Sequence, residues 1–234
     1  MKAFLLAAGY GTRLRPITDN MPKCLVPIQH QPLLYWWLKL LQKYRVSEVL
    51  INTHYRSEQV EHYVEGLQQS DLKIKLVFEQ ELLGSGGTVK KNADFVSNEK
   101  DFLICYADNL TCLNISKLLS FHASHPDVLT MGLFLTGNPG QCGIAVMNPD
   151  NVITKFSEKP VNPKSNLANA GIYAADQRLF DYFPAEKTVF DFGYDILPLL
   201  IGKMRGYRIR EYLLDIGTWE NYKKANEDWK NDYI

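Results

Sequence analysis

Residues 5–16 read Leu5-Leu6-Ala7-Ala8-Gly9-Tyr10-Gly11-Thr12-Arg13-Leu14-Arg15-Pro16, and Pro22-Lys23 follows closely. An apolar run ends here in a loop of small residues, which is typical of a strand buried in a parallel sheet. Glycines let the backbone approach a bulky anion, and loop N–H groups bind phosphates. Arg13 and Lys23 would add cationic donors for the same anion. The stretch therefore indicates a nucleoside triphosphate site, although an ordinary turn with two solvated cations explains the loop alone equally well.

The bulk composition is that of a globular protein without a charge bias. The chain has 234 residues, of which 46% are hydrophobic and 22% are charged, and its 26 basic and 26 acidic residues cancel. We therefore expect neither a nucleic-acid nor a membrane partner. The first residues lack the pattern of a signal peptide, and no apolar run reaches membrane-spanning length. The four cysteines lack metal-site spacing, and two lie in or beside apolar runs, which suits a reducing compartment. Together these features predict a cytoplasmic protein.

Strand and helix patterns alternate along the first part of the chain. This alternation predicts an α/β fold, Rossmann-like, with a doubly wound, mixed, mostly parallel sheet. Strands are predicted at 3–8, 46–51, 73–78, 102–107 and 128–135, and helices at 31–44, 57–68, 84–93 and 115–123.

After about residue 137 the predicted strands become shorter and turn signals more frequent. The sequence contains no hexapeptide repeats, so no appended β-helix is expected. We expect a single domain, 1–234, with a nucleotide-binding half at about 1–137 and an acceptor half at about 138–234. Strands are predicted in this second half at 142–147, 152–157, 168–174 and 207–213, and helices at 191–203 and 218–230.

Several polar features follow predicted strands. Ligands of open α/β sheets bind beyond the carboxyl ends of strands. Four features of the sequence lie just after predicted strands: the opening loop, the segment 79–87, Asp108 and Asp215. Two strand-end carboxylates suit Mg²⁺ that is shared with substrate phosphates. Taken singly, each aspartate is more often a cap or a turn former, but together with a phosphate loop they predict a metal site.

The opening loop, with Thr18 and Pro22-Lys23 in register, resembles the signature of the sugar-1-phosphate nucleotidyltransferases. That signature runs (G/A)-G-x-G-T-R-L-x-P-x-T, followed after a short gap by P-K-P. Cys24 replaces the usual proline after the lysine. The short guanylyltransferases that act on mannose or heptose 1-phosphate are the most similar members. Further similar segments extend over nearly the whole chain: Leu83-Gly84-Ser85-Gly86-Gly87, Ala107-Asp108-Asn109, Glu158-Lys159-Pro160, Asn169-Ala170-Gly171-Ile172-Tyr173 and Leu214-Asp215-Ile216-Gly217-Thr218.

The resemblance implies roles for the matching residues. Mg²⁺, the implied cofactor, would bind to Asp108 and Asp215. Arg13 would contact the β and γ phosphates, Lys23 the α-phosphate, and Lys159 the phosphate of the sugar phosphate. These five residues would be catalytic. The nucleotide would contact Ala7, Ala8, Gly9, Gly11, Thr12, Arg13, Lys23, Glu79, Gly84, Ser85 and Gly86, and the sugar phosphate Asn109, Gly143, Glu158, Lys159 and Asn169.

The implied reaction needs no protein nucleophile. An oxygen of the sugar 1-phosphate attacks the α-phosphorus of the NTP in line and expels pyrophosphate. Cations are needed because two unit charges at about 4 Å repel by roughly 4 kcal/mol at an effective dielectric constant near 20. The five histidines form no catalytic constellation, so surface or packing positions are expected for them.

The base is predicted from Glu79, which stands where related thymidylyltransferases read the base with a glutamine. An ionised carboxylate only accepts hydrogen bonds, and guanine offers two neighbouring donors, so GTP is favoured. UTP and CTP remain alternative nucleotide donors. The alternatives are a uridylyltransferase of amino-sugar 1-phosphates, a cytidylyltransferase of a non-sugar such as phosphocholine, and a non-catalytic regulatory subunit. Trp36-Trp37 marks either a contact in a homo-oligomer or core packing of one tryptophan with partial exposure of the other.

Overall fold

The computed structural model describes residues 1–68 and 71–234. The strands are β1 (Lys2–Leu6), β2 (Pro27–Ile28), β3 (Gln31–Pro32), β4 (Glu48–Thr53), β5 (Lys73–Phe78), β6 (Asp101–Tyr106), β7 (Asn109–Thr111), β8 (Leu129–Leu135), β9 (Gly143–Met147), β10 (Ile153–Glu158), β11 (Leu167–Asp176), β12 (Met204–Arg208) and β13 (Leu213–Asp215). The α-helices are α1 (Leu33–Lys43), α2 (Ser57–Glu65), α3 (Gly84–Lys91), α4 (Ile115–Ala123) and α5 (Trp219–Asp228).

The chain forms two compact units that are not consecutive halves. The first unit contains Met1–Leu82, Tyr106–Leu113 and Glu211–Ile234. The second unit contains Leu83–Cys105 and Asn114–Arg210. These boundaries differ from the predicted division near residue 137, because the segments that carry Asp108 and Asp215 pack with the N-terminal residues.

The first unit is built on three parallel strands. Strand β4 pairs with β1 on one side and with β5 on the other. Ala3, Phe4 and Leu5 of β1 are all 0% exposed, as expected for a strand that is covered on both faces. Since parallel strands end at the same edge, the residues after Leu6, at the end of β4 and after Phe78 are neighbours.

Helix α1 anchors the core of the first unit. Its tryptophans Trp36 and Trp37 are 3% and 2% exposed. Their indole N–H groups donate to the backbone oxygens of Ile28 and Asn109, at 3.1 and 2.7 Å. Core packing within the chain therefore accounts for both tryptophans. A homo-oligomer stays a prediction.

The second unit contains a mixed sheet around β11. This strand pairs antiparallel with β6, β8 and β9. Strand β10 extends the sheet antiparallel to β9, and β12 pairs in parallel with β8. The predicted mixed sheet flanked by helices is thus confirmed, and the described residues form no β-helix. Across the described chain, none of the helices is long and apolar enough to cross a membrane.

Two predicted elements of the later chain differ in the structure. The segment 191–203 is helical as expected, but it is not an α-helix: a five-residue π-helix, Phe192–Ile196, is followed by a 3-10 helix, Leu197–Leu200. Pro198 lacks the N–H group that a continuous helix would need there. The strand expected at 207–213 is divided, because β12 ends at Arg208 and β13 begins at Leu213. The predicted helices at 31–44, 57–68, 84–93, 115–123 and 218–230 are confirmed as α1 to α5, with ends that differ by a few residues.

Candidate active site

The loop after β1 is folded back on itself around Gly11. Gly11 has a φ of 65°, in the left-handed region that favours glycine. A Cβ atom there would lie 3.0 Å from both Lys23 Cβ and Thr18 Cγ2. The Thr18 hydroxyl donates to the Gly11 carbonyl at 2.9 Å. These contacts fix the loop against Lys23, whereas a Cβ at Gly9 would meet nothing within 4 Å.

Lys23 lies beside two carboxylates of the first unit. Its ammonium Nζ is 2.9 Å from Asp108 Oδ2 and 3.7 Å from Asp215 Oδ1. The side chain of Lys23 is 10% exposed, against 38% for Asp108 and 42% for Asp215. Strands β7 and β13 bring the aspartates together, because their antiparallel register sets Asp215 opposite Asn109. The sequence separates these aspartates by more than 100 residues, and the fold brings both to one lysine.

The two aspartates differ in their protonation behaviour. Burial raises the pKa of Asp215, and the negative charge of Asp108 raises it further. The positive charges of Lys23 and Arg13 act in the opposite direction but do not outweigh these two effects. Burial also acts to raise the pKa of Asp108, but the charge and hydrogen bond of Lys23 outweigh it, so the pKa of Asp108 lies below its usual value. One ammonium group thus compensates Asp108 better than Asp215.

The residues around Asp215 fit a divalent cation. Oδ1 of Asp215 is buried and accepts no hydrogen bond within the described structure. Such an atom costs free energy unless a donor or a cation satisfies it. A Cβ on Gly217 would be 2.8 Å from both this oxygen and the Arg13 guanidinium, so glycine keeps that space open. In the described residues no group of three or more His, Cys, Asp or Glu could hold a metal, so phosphate oxygens would have to complete the ligand set.

Glu79 follows β5 and is held by residues at the end of β4. Its side chain is 1% exposed. Asn52 donates from Nδ2 to Glu79 Oε1 at 3.0 Å, and its Oδ1 accepts from Ala7 N at 2.7 Å. His54 Nδ1 lies 2.7 Å from the Glu79 carbonyl oxygen, and Tyr10 Oη lies 2.8 Å from His54 Nε2. Since a carbonyl only accepts, Nδ1 carries a proton.

In the second unit, the carboxylate of Glu158 lies between two glycines. Oε2 of Glu158 is 2.9 Å from the position of a Cβ on Gly193 and closer still to that of one on Gly143. Asp191 Oδ1 is 3.1 Å from the same point over Gly193, so the two carboxylates are neighbours. Burial raises the pKa of Glu158, and the charge of Asp191 raises it further.

Asn169 and Lys159 are both held by local hydrogen bonds. Asn169 donates from Nδ2 to the Tyr173 hydroxyl at 2.6 Å, and its Oδ1 accepts from Gly171 N at 3.0 Å. Lys159 follows β10 with a φ of 45°, and its N–H donates to the Cys142 carbonyl at 3.0 Å. A left-handed backbone conformation is uncommon for lysine, so the surrounding structure must hold it in place. The same backbone conformation sets the direction of the Lys159 Cα–Cβ bond.

The glycine turn that opens α3 packs against residues 188–192. The N–H groups of Gly86 and Gly87 both donate to the Phe190 carbonyl at 3.1 Å. The Ser85 hydroxyl donates to Asp191 Oδ2 and accepts from Phe192 N, both at 2.8 Å. A Cβ on Gly84 would lie 2.5 Å from the Phe190 carbonyl. Ser85 and the Gly86 N–H, both predicted to contact the nucleotide, therefore already have protein partners.

The predicted residues therefore fall into two groups. The first unit holds Ala7, Ala8, Gly9, Gly11, Thr12, Arg13, Lys23, Glu79, Asp108, Asn109 and Asp215, and the second holds Gly84, Ser85, Gly86, Gly143, Glu158, Lys159 and Asn169. Three further residues of these contacts were not predicted from the sequence: Asn52, His54 and Asp191. Asn52 and His54 stand at and just beyond the end of β4, where the strand-end rule that selected Asp108 would have found them. Nothing in the local sequence distinguishes Asp191.

The chain is similar to known nucleotidyltransferases over nearly its whole length. The profile of the nucleotidyl transferase family matches residues 2–232. The D-glycero-alpha-D-manno-heptose 1-phosphate guanylyltransferase of Aneurinibacillus thermoaerophilus is 30% identical over 230 residues, which are 97% of this chain and 98% of that protein. The UTP–glucose-1-phosphate uridylyltransferase of Synechocystis is 30% identical over 218 residues, 86% of this chain but 55% of that longer protein. HddC from Yersinia pseudotuberculosis, solved with GMP-PN, has a TM-score of 0.82 at 25% identity over 98% of this chain and 99% of its own.

Proposed function

The chain belongs to the nucleotidyl transferase family, and we propose that it transfers a nucleotidyl group from an NTP, preferably GTP, to a sugar 1-phosphate. The products are a nucleotide-sugar and pyrophosphate. One relative that aligns over 98% of its own length is named for guanylyl transfer to a heptose 1-phosphate. That similarity supports a sugar 1-phosphate as the acceptor class and GTP as the donor.

The observation that carries the proposal is the position of Lys23 beside Asp108 and Asp215. An ammonium 2.9 and 3.7 Å from two strand-end carboxylates, next to a glycine loop, offers opposite charges for one polyanion. The carboxylates would bind a cation, and the ammonium would bind phosphate. A plain turn with solvated cations does not explain a lysine that is 10% exposed.

Asp108 and Asp215 would hold Mg²⁺. Their hard oxygen atoms, and the buried Oδ1 of Asp215 in particular, fit this ion. When bound, Mg²⁺ would neutralise phosphate charge and favour departure of pyrophosphate. A cation would also give Asp215 the compensation that Lys23 gives mainly to Asp108.

The first unit would bind the triphosphate. The loop from Ala7 to Thr12 would supply backbone N–H groups, and Arg13 would bind the β and γ phosphates. Lys23 would stay at the α-phosphate, where charge builds as the phosphate oxygen of the acceptor attacks in line. These groups orient the reactants and stabilise charge, and good alignment is worth roughly 7–11 kcal/mol. No side chain needs to act as a nucleophile.

The second unit would bind the sugar phosphate. Glu158 and Asn169 would accept hydrogen bonds from sugar hydroxyls, with the backbone at Gly143, and Lys159 would bind the phosphate. Asn109, next to Asp108 in the first unit, is also proposed to contact the sugar phosphate. The raised pKa of the Glu158 carboxyl and the adjacent Asp191 support a pocket that favours hydrogen-bond donors.

GTP is the proposed donor because Glu79 is acceptor-only when ionised, and guanine presents two adjacent donors. A carboxylate has about four acceptor sites, so it can bind Asn52 and guanine together. Glu79 is 1% exposed, so a base that contacts it must displace atoms that cover it. The choice of nucleotide and the role of Glu79 are therefore separate predictions.

The decisive experiment measures pyrophosphate release with Mg²⁺ for each of GTP, UTP, CTP, dTTP and ATP, combined with a panel of sugar 1-phosphates and phosphocholine. We expect turnover with GTP and a mannose- or heptose-type 1-phosphate. Turnover with UTP and an amino-sugar 1-phosphate would replace both proposed substrates. The UTP donor alone is supported by the 30% identical relative that is named for uridylyl transfer to glucose 1-phosphate. Absence of turnover with every pair, from protein that still binds nucleotide, would support a regulatory subunit.

A further inference from the structure

Asn52 joins two segments of the first unit that the proposed function uses. It is the penultimate residue of β4 and is 4% exposed. In the sheet register it stands opposite Leu6 of β1 and Val77 of β5. Strand β1 leads into the phosphate loop and strand β5 leads into Glu79. Asn52 therefore lies between the starts of the two segments.

The two ends of one amide group make the connection. Asn52 Oδ1 accepts from Ala7 N at 2.7 Å, and Nδ2 donates to Glu79 Oε1 at 3.0 Å. An amide carries an acceptor and a donor at its two ends: a carboxylate at position 52 could accept from Ala7 but not donate to an ionised Glu79, and leucine could do neither. The side chain is thus chemically matched to both neighbours.

His54 makes a second connection of the same kind. The His54 ring donates to the Glu79 carbonyl and accepts from the Tyr10 hydroxyl, at 2.7 and 2.8 Å. The residues that end β4 therefore tie Glu79 to both the beginning and the middle of the loop.

We infer that Asn52 is a positioning residue, which holds the N–H-bearing loop and the Glu79 carboxylate in a fixed relation to each other. Its contribution is made through these groups, because a buried carboxylate that loses a donor becomes more costly, and the Ala7 N–H without this acceptor is free to turn away. The inference rests on the proposed function, in that the loop and Glu79 are taken as nucleotide-binding.

The first test is Asn52→Asp, which keeps the shape and the acceptor for Ala7 but sets a carboxylate against Glu79. We expect the Kd for GTP with Mg²⁺, measured by calorimetry, to rise about 10- to 100-fold, as for a misplaced binding group. The KM for the sugar phosphate should change much less. An unchanged Kd would overturn the inference. Asn114→Asp is the matched control, because aspartate caps α4 as well as asparagine does.

The second test exchanges the partners by combining Asn52→Asp with Glu79→Gln. The carboxylate introduced at position 52 would still accept from Ala7 N, and the amide introduced at position 79 would donate to that carboxylate. The connection is then rebuilt with its polarity reversed. We expect the Kd for UTP, which does not depend on guanine recognition, to return to within about threefold of the unmodified protein.

A double variant that binds UTP no better than Asn52→Asp alone would overturn the inference. Calorimetry measures nucleotide binding without turnover, so the role of Asn52 can be refuted independently of the proposed function. An inactive protein that binds nucleotide would refute the proposed function and still test Asn52.

Discussion

The Glu158 carboxylate occupies the space that a side chain at Gly193 would need, with Oε2 2.9 Å from the position of the missing Cβ. Gly143 limits the same oxygen atom more severely, because its missing Cβ would lie closer still. Real Cβ atoms do not approach this closely, so a methyl group at either position would push Glu158 aside. The two glycines therefore determine where this carboxylate can lie.

Gly193→Ala tests the role of Glu158 in sugar binding. We expect the KM for the sugar phosphate to rise about 10- to 100-fold, because a displacement of about 1 Å can cost this much, and the KM for the nucleotide to change little. Steady-state kinetics with each substrate varied in turn gives both values. Gly137→Ala is the matched control, because a Cβ there meets nothing within 4 Å. Equal increases in both KM values would indicate a general structural defect instead.

Asp108→Asn and Asp215→Asn test the metal site. Each removes one charged group of the proposed metal site with little change in volume, so we expect turnover to fall by about 10²- to 10³-fold or more and the Mg²⁺ requirement to rise. Activity measured over a Mg²⁺ titration, with chelator in the blank, detects both effects. Asp232→Asn alters an exposed aspartate of the same unit and should leave activity unchanged. Normal turnover in Asp108→Asn would remove that residue from the proposed site.

The strand-end rule explains why part of this site was predictable from the sequence. Asp108 and Asp215 each end a short apolar run, and the loop around Gly11 needs a left-handed residue that only its glycine supplies easily. The same rule would have selected Asn52 near the end of β4, but not its hydrogen-bond partners Ala7 and Glu79, which strand pairing brings to it. Asp191 was not predictable, because it is an ordinary polar residue in sequence and a distant segment brings Ser85 to it.

The helix predicted at 191–203 differs in type for a related reason. Asp191 Oδ1 accepts from Gly193 N and Tyr194 N, at 2.7 and 3.1 Å, and so caps the start of the helical segment. Ser85, from a distant segment, binds the other carboxylate oxygen. Pro198 lacks the N–H group that a regular α-helix needs, and the segment forms a π-helix and a 3-10 helix.

Lys23→Met tests the competition between the ammonium and a divalent cation. Without Lys23, Asp108 and Asp215 face each other with less compensation, so we expect turnover to fall by about 10²- to 10³-fold while Mg²⁺ stabilises the fold more than in the unmodified protein. Thermal unfolding with and without Mg²⁺ measures the second effect. Lys117→Met removes an exposed lysine and should show the original response. A smaller Mg²⁺ effect in Lys23→Met would contradict the proposed arrangement.

Glu79→Gln tests base recognition. Glutamine presents both a donor and an acceptor, so the preference for GTP over UTP, expressed as the ratio of kcat/KM values, should fall by about 10-fold or more if Glu79 contacts guanine. If Glu79 acts only by holding Asn52, both nucleotides should lose the same factor. The ratio therefore separates base recognition from support of the loop.

A histidine pair in the second unit should make folding stability depend on pH. His122 Nδ1 and His125 Nε2 both lie 2.9 Å from the Thr130 hydroxyl. His125 Nδ1 accepts from the Asp127 N–H at 3.2 Å, which requires a neutral nitrogen there. Burial lowers the pKa of both rings, to about 4 for His125, where the charge of His122 adds to the effect. The facing charged groups have mixed signs: Asp101, Asp127, Asp176, Lys100, Arg178 and Arg205.

The free energy of unfolding should therefore decrease as the pH falls from about 6.5 to 4. In the unfolded chain these histidines bind protons near pH 6.5, whereas folded His125 does so only near pH 4. Between these pH values the unfolded state binds more protons than the folded state, so a lower pH favours unfolding. Each extra proton bound by the unfolded state contributes a slope of about 1.4 kcal/mol per pH unit. Urea unfolding at several pH values measures the slope. His125→Gln should reduce it, and an equal slope in that variant would show that other groups cause the acid sensitivity.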